Sequence, residues 1–217
     1  YTESVHVIVS ADSDIKSIED LKGKKIVTTG QGANPEFIVK YLLTENGVDP
    51  ETDVTIEFKA EGSELAAVWA TEPEAIVIAP QPVATSILMK YEGSTAVLDL
   101  TEEWNRVSPD SALMVGCAEV RTEFLEEHPA VVEDFLTKYE ASIAKATEDV
   151  SGTAALCEQY GIVPSAKIAE KAIPKCGLCF ITGDEMKQKL SGYLGVLTGF
   201  DATLTGGMPD DGFWYQK

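Results

Sequence analysis

Hydrophobic and polar positions change their spacing several times along the first half of the chain. In Ser4–Ser10, Val5, Val7 and Val9 alternate with His6 and Ile8, which predicts a strand carrying the valines on one face and the histidine on the other. Ser17 and Asp20 have capping-box spacing for a short helix that runs through Leu21 and ends at Gly23. Lys25–Thr29 predicts a buried strand. In Gly30-Gln-Gly-Ala-Asn34 followed by Pro35, Asn34 is the expected N-cap and Pro35 the first helical residue. The helix that follows repeats Phe37, Ile38, Tyr41 and Leu42 at helical spacing and stops at Asn46-Gly47. The alternation then continues with a strand at Val54–Phe58, a helix at Ser63–Thr71 and a short apolar strand at Ala75–Ala79. Pro80-Gln81-Pro82 breaks the chain before a helix through Met89, and Ala96–Leu98 is a further strand.

The period changes after Pro109. Ala112–Val120 predicts one long strand, and nearly everything beyond it has helical spacing. The longest helix, Ala130–Asp149, carries Val132, Phe135, Leu136, Tyr139, Ile143 and Ala146 as one stripe. Helices at Ala154–Tyr160, Ser165–Ala172 and Asp184–Leu197 follow. These faces need a surface to cover, and the tail has no sheet of its own. The expected class is α/β: a mixed sheet with helices on both faces, plus a C-terminal helical segment.

Charge changes the picture of partners. A formal charge of −19 over 217 residues repels phosphate backbones and anionic headgroups, so nucleic acid is not an expected partner. Arg106 and Arg121 are the only arginines, which argues against an arginine clamp on a polyanion. No apolar run reaches the ~18–20 residues of a membrane-spanning helix. Of the four cysteines, Cys176 and Cys179 form a lone CxxC without a second pair or nearby histidines. They predict packing or a structural bridge, and Cys117 and Cys157 leave the connectivity open.

Candidate chemistry is concentrated at two strand ends. Between Thr28 and Pro35 a strand stops, two glycines turn the backbone, and a helix begins, with first-turn N–H groups suited to an anionic or polar group. The candidate ligand contacts are Thr29, Gly30, Gln31, Gly32, Ala33 and Asn34, joined by the Gln81 amide from the second turn. In an open α/β sheet both turns lie at carboxyl ends of strands, where ligands bind. Tight turns alone also explain GxG and PxP. A dinucleotide fingerprint, with Glu57 as its acid, would place a glycine where Pro35 stands. There is no Gly-x-Ser-x-Gly, P-loop or HExxH, and Glu61 is the acid to inspect in a cleft. The expectation is a binder with no catalytic residue, metal or cofactor.

Several stretches resemble one family. Ile15-Lys-Ser-Ile-Glu-Asp-Leu-Lys-Gly-Lys-Lys-Ile26 is similar to the opening of the second lobe of type II periplasmic solute-binding proteins of ABC importers, in the nitrate/sulfonate/taurine and thiamine-precursor branch. The Gly30-Gln-Gly-Ala loop, the Gln81-Pro-Val-Ala turn, Phe124–Ala130 and the tail from Gly183 through Gly206–Phe213 support the likeness. The resemblance implies two α/β lobes that close on a small polar or anionic solute. Residues 1–10 would be a hinge-proximal strand and 11–111 the second lobe. A second hinge-proximal strand and helices returning to lobe one would fill 112–217. It also implies an earlier part of lobe one with an export signal, a membrane permease as partner, a monomer, and a periplasmic or lipid-anchored place outside the cytoplasmic membrane. Two rivals share the fold: an enzyme of menaquinone or pyrimidine pathways, and the effector domain of a transcription regulator.

Overall fold

Alternating side chains in five short segments produce β1 (Val5–Ser10), β2 (Lys25–Thr29), β3 (Thr55–Lys59), β4 (Ile76–Pro80) and β5 (Ser94–Asp99). The computed structural model describes residues 5–10, 12–72 and 74–215; Ser4 of the first expected strand and Ala11 lie outside them. One sheet runs β3-β2-β4-β1-β5. β2 is parallel to β3 and to β4, whereas β1 is antiparallel to both β4 and β5. The carboxyl ends of β2, β3, β4 and β5 therefore share one edge with the amino end of β1.

Each face of the sheet collects its own helices. Val5, Val7, Val9, Ile26 and Ile78 point toward α1 (Asn34–Glu45), α4 (Leu100–Val107) and α9 (Gly183–Phe200), and Trp104 sits fully buried between Tyr41 and Tyr193. Ile8, Val27, Val77 and Ala79 face α2 (Gly62–Thr71) and α3 (Val83–Lys90) through Leu65, Trp69, Ala84 and Ile87. Burying a Leu or Ile side chain contributes about 1.5–3 kcal/mol, so this two-sided layer fixes the position of the loops at its edge. α9 thus covers the same sheet as α1, which gives part of the helical tail its partner surface.

The remaining helices are α5 (Thr122–Glu127), α6 (Pro129–Glu148), α7 (Val150–Gln159) and α8 (Ala166–Ala172). α7 and α8 pair around Ala154, Val163, Ala169 and Ile173, and α8 lies against α3. No described helix is long and apolar enough to cross a membrane.

Two expectations are corrected. The long strand at Ala112–Val120 does not form: Met114 makes a single bridge and 115–120 carry no ladder among the described residues. Leu113 is buried while 116–120 are exposed, so the apolar alternation does not carry on as one half-buried face. The N-cap of α1 is Ala33 rather than Asn34, which is already helical, with Pro35 behind it. Asn34 gives up the capping role because its side chain is engaged elsewhere.

Candidate functional site

The two turns singled out in the sequence are neighbours. β2 and β4 pair side by side, and the Thr28 hydroxyl donates to the Ile78 carbonyl at 3.0 Å. The loop after Thr29 and the turn at Gln81 therefore leave the sheet from adjacent strands at the same edge. Gly30 and Gly32 adopt φ of 80° and 71°, which lets the backbone reverse before α1. Gln31, Gly32 and Ala33 are exposed, whereas Thr29 and Asn34 are half-buried.

Asn34 is a structural tie. Its Nδ2 donates to the Met114 carbonyl at 3.2 Å, and its Oδ1 accepts from the Tyr193 hydroxyl. Burial pushes that hydroxyl well up from its ordinary value, against the opposing pull of the Asn34 bond. One amide thus fastens the start of α1 to both 114 and α9.

Gln81 lies beneath the surface with 6% exposure. Its Oε1 accepts from the Thr85 hydroxyl at 2.7 Å and from the Thr85 N–H at 3.2 Å, closing the first turn of α3. Its Nε2 has no hydrogen-bond partner among the described residues. Two other buried atoms share that state, His6 Nε2 and Thr101 Oγ1. Leaving a buried polar atom unpaired costs about 1–3 kcal/mol, so each of the three calls for an explanation.

Register places His6 near the strand ends that lead into Gln81 and Thr101. His6 stands opposite Ala79 of β4 and opposite Asp99 of β5. Residues opposite one another share a face, so His6 projects with Ala79 toward α3, the helix that Gln81 caps. On the other side, Asp99 serves two groups: Oδ1 accepts from the Thr101 N–H at 2.8 Å, and Oδ2 lies 3.5 Å from His6 Nδ1. Burial holds the imidazole below its ordinary 6.5, Asp99 pulls it up, Lys175 pushes it down and Glu102 pulls it up weakly. A neutral ring with its proton on Nδ1, facing Asp99, leaves Nε2 as an acceptor.

Sequence reading passed over two members of this group. In the sequence His6 marks only the second face of β1, and no expected helix takes in α4 with Thr101. The signal for α4 was present: Asp99 as N-cap, Glu102 and Glu103 in the first turn, and Leu100 four residues before Trp104. Glu61, the acid marked for inspection, is exposed and closes the first turn of α2 in a capping box with Glu64. Glu57 is bound by Lys25 and Lys59, whose hydrogen bonds pull its carboxyl down to about 2.

Away from this edge, an apolar groove of about 550 Å³ runs between α6, α9 and the extended 116–120 segment. Phe124, Phe135, Tyr139 and Phe180 are prominent in its lining. Cys117 and Cys179 both face it, and Cys157 belongs to the α7–α8 cluster; no disulfide joins the cysteines among the described residues.

The sheet gathers strand ends and helix N-termini at one edge, the arrangement of an α/β lobe. The chain belongs to the NMT1/THI5-like family, whose model matches residues 2–150. No curated protein sequence matches it. Among solved structures it is similar to an ABC transporter protein from Parabacteroides distasonis, with 18% identity and a TM-score of 0.75, covering 99% of this chain and 71% of that one. It is also similar to the periplasmic aliphatic sulphonate binding protein SsuA from Escherichia coli, with 15% identity and a TM-score of 0.75, covering 98% of this chain and 65% of that one. A third is the alkanesulfonate-binding protein SsuA from Xanthomonas axonopodis pv. citri bound to MOPS, with 12% identity and a TM-score of 0.64, covering 94% and 66%. At these identities the likeness is one of fold, and the chain spans about two thirds of the length of these proteins.

Proposed function

We propose that this chain captures a small solute for an ABC-type importer, outside the cytoplasmic membrane, with a membrane permease as its partner. The observation that carries the reading is the side-by-side exit of the Thr29–Asn34 loop and the Gln81 turn from parallel neighbours β2 and β4. Family membership and the fold shared with an ABC transporter protein and two sulfonate-binding proteins support it. In this reading the chain binds without catalysis. Gln31, Gly32 and Ala33 form the open wall of the site, and Gly30 with Thr29 sets the turn behind them. Gln81 is the buried contact, and Asn34 acts by holding α1 in place. Residues 12–111 supply the lobe, with β1 and 112–120 lying near a hinge, and the protein works as a monomer.

A thermal-shift screen against small sulfonates, nitrate, bicarbonate and neutral heterocycles tests this. A hit is expected to raise the melting temperature in proportion to the logarithm of ligand concentration. That rise should shrink in Gln81→Ala and in a Gln31→Ala variant whose own melting temperature is unchanged. A hit indifferent to both substitutions would move the site elsewhere. No hit with any class would remove the solute-capture reading.

A further inference from the structure

The groove between α6, α9 and the 116–120 segment is a surface of its own: neither residues 29–34 nor Gln81 line it. Its volume of about 550 Å³ falls within the range of about 300–1,000 Å³ that small-molecule sites occupy. Aromatic rings form one wall. Phe135 and Tyr139 stack at 5.4 Å with 15° between their planes, and Phe180 meets Tyr139 at 6.2 Å and 74°. The third ring thus stands nearly at right angles to the pair, and the wall turns a corner. Phe124, Phe135 and Tyr139 stay exposed on it although they are apolar. Met114 and Met186 add polarisable sulfur to the lining.

The charge on this lining has one sign. Glu119 is its single carboxylate, and no lysine, arginine or histidine belongs to it among the described residues. The lysines of the two flanking helices are already paired. Lys138 and Lys145 of α6 hold Asp134 and Asp149 at 2.7 and 3.0 Å. Lys187 and Lys189 of α9 hold Asp211 and Glu185 at 2.8 and 2.9 Å. Glu119 makes no ion pair among the described residues; the Cys117 thiol donates to its Oε1 at 3.8 Å. Burial, with Glu119 beside it, raises that thiol above its ordinary value and keeps it neutral. An anion entering the groove therefore meets a carboxylate and no positive group. A neutral apolar molecule gains only the burial of its surface. An organic cation gains that burial together with the ring faces and the Glu119 charge.

We propose that this groove is a binding site for a small organic cation, a tertiary or quaternary ammonium carried on an apolar body. The ring faces and Glu119 recognise the charge, and Met114, Met186 and the rest of the apolar lining take the body. The site goes beyond solute capture at the strand ends, shares no residue with it, and stands or falls separately.

The four methionines give a local readout, because Met114 and Met186 line the groove and Met89 and Met208 do not. NMR of the whole chain labelled at the methionine methyls compares three probes of similar size: benzyltrimethylammonium, benzyl alcohol and benzenesulfonate. The buffer holds about 0.15 M salt, where a Debye length of about 8 Å screens the diffuse field of the acidic surface. The cation is expected to shift Met114 and Met186 saturably, at least fivefold tighter than benzyl alcohol and at least tenfold tighter than benzenesulfonate. Glu119→Gln should bring the cation within about twofold of benzyl alcohol. Phe135→Leu, which keeps an apolar side chain and removes a ring, should weaken the cation at least threefold and benzyl alcohol less. Benzyl alcohol or benzenesulfonate binding as tightly as the cation would overturn the proposal. So would cation shifts of equal size at Met89 and Met208, which would report attraction to the surface at large. An unchanged cation affinity in folded Glu119→Gln would refute the role of the carboxylate and the proposal with it. No saturable shift at Met114 and Met186 with any probe would remove the small-molecule site, leaving the groove to a larger partner.

Discussion

At Gly30 a β-carbon would sit 2.7 Å from Pro35 Cγ, and the backbone is held at φ 80°. Gly23 shares the conformation at φ 77° but has nothing within 4 Å of the same point. Replacing each by alanine separates two effects. Gly23→Ala should cost about 1–2 kcal/mol, the ordinary penalty of a left-handed residue with a side chain. Gly30→Ala should cost more, because Pro35 at the start of α1 must also move, and urea denaturation of both variants reads the difference. If the two variants lose equal stability, the Pro35 contact contributes nothing. Residue types that turn the chain were legible in the sequence, since glycine and proline act locally. The burial of Gln81 was not, because it depends on α3 folding back over the sheet, and the tie between Asn34 and Tyr193 joins residues 159 apart.

Elements were legible where their period was unbroken. β2 appears with the bounds expected, and α6 differs by one residue at each end. α4 was hidden by its length, since eight residues give few repeats of an apolar spacing. The α6 stripe illustrates the other limit: spacing identifies an apolar face but not what covers it. Phe135 and Tyr139 stack at 5.4 Å, yet Phe135 is 51% exposed and borders the groove. A dye that fluoresces on apolar surfaces should therefore bind the folded protein, and Phe135→Ser should lower that signal while changing stability by less than about 1 kcal/mol. Undiminished dye binding would place the apolar surface elsewhere. Asn34→Ala makes the opposite case at the start of α1. Losing bonds to Met114 and Tyr193 should cost about 1–3 kcal/mol in urea, because the Tyr193 hydroxyl is left buried.

Across the whole molecule, the sheet edge also sets how stability responds to acid. His6 is held below 6.5 mainly by burial, so the unfolded chain takes up its proton more readily than the folded one. The groups facing it are Asp99 on β5, Lys175 in the turn after α8 and Glu102 on α4. The stability that neutral His6 contributes is complete above the unfolded value of 6.5 and is lost as pH falls toward the lowered folded value. Urea midpoints measured from about pH 7.5 to 5.5 should decline for the parent, and His6→Gln should flatten that decline. An identical decline in both proteins would assign it to other groups. The class of fold followed from the strand–helix alternation. The place of β1 between β4 and β5 did not, because nothing local specifies which distant strands an apolar segment will join.

That placement has a kinetic consequence. β1 joins β4 and β5, its partners lying roughly seventy to ninety residues along the chain, so the centre of the sheet is closed by its most distant pairings. A ribosome delivering this polypeptide releases β1 long before its neighbours exist. Until β5 emerges, Val7 and Ile8 have no lasting cover, and that half-made interval is when a chaperone would have something to hold.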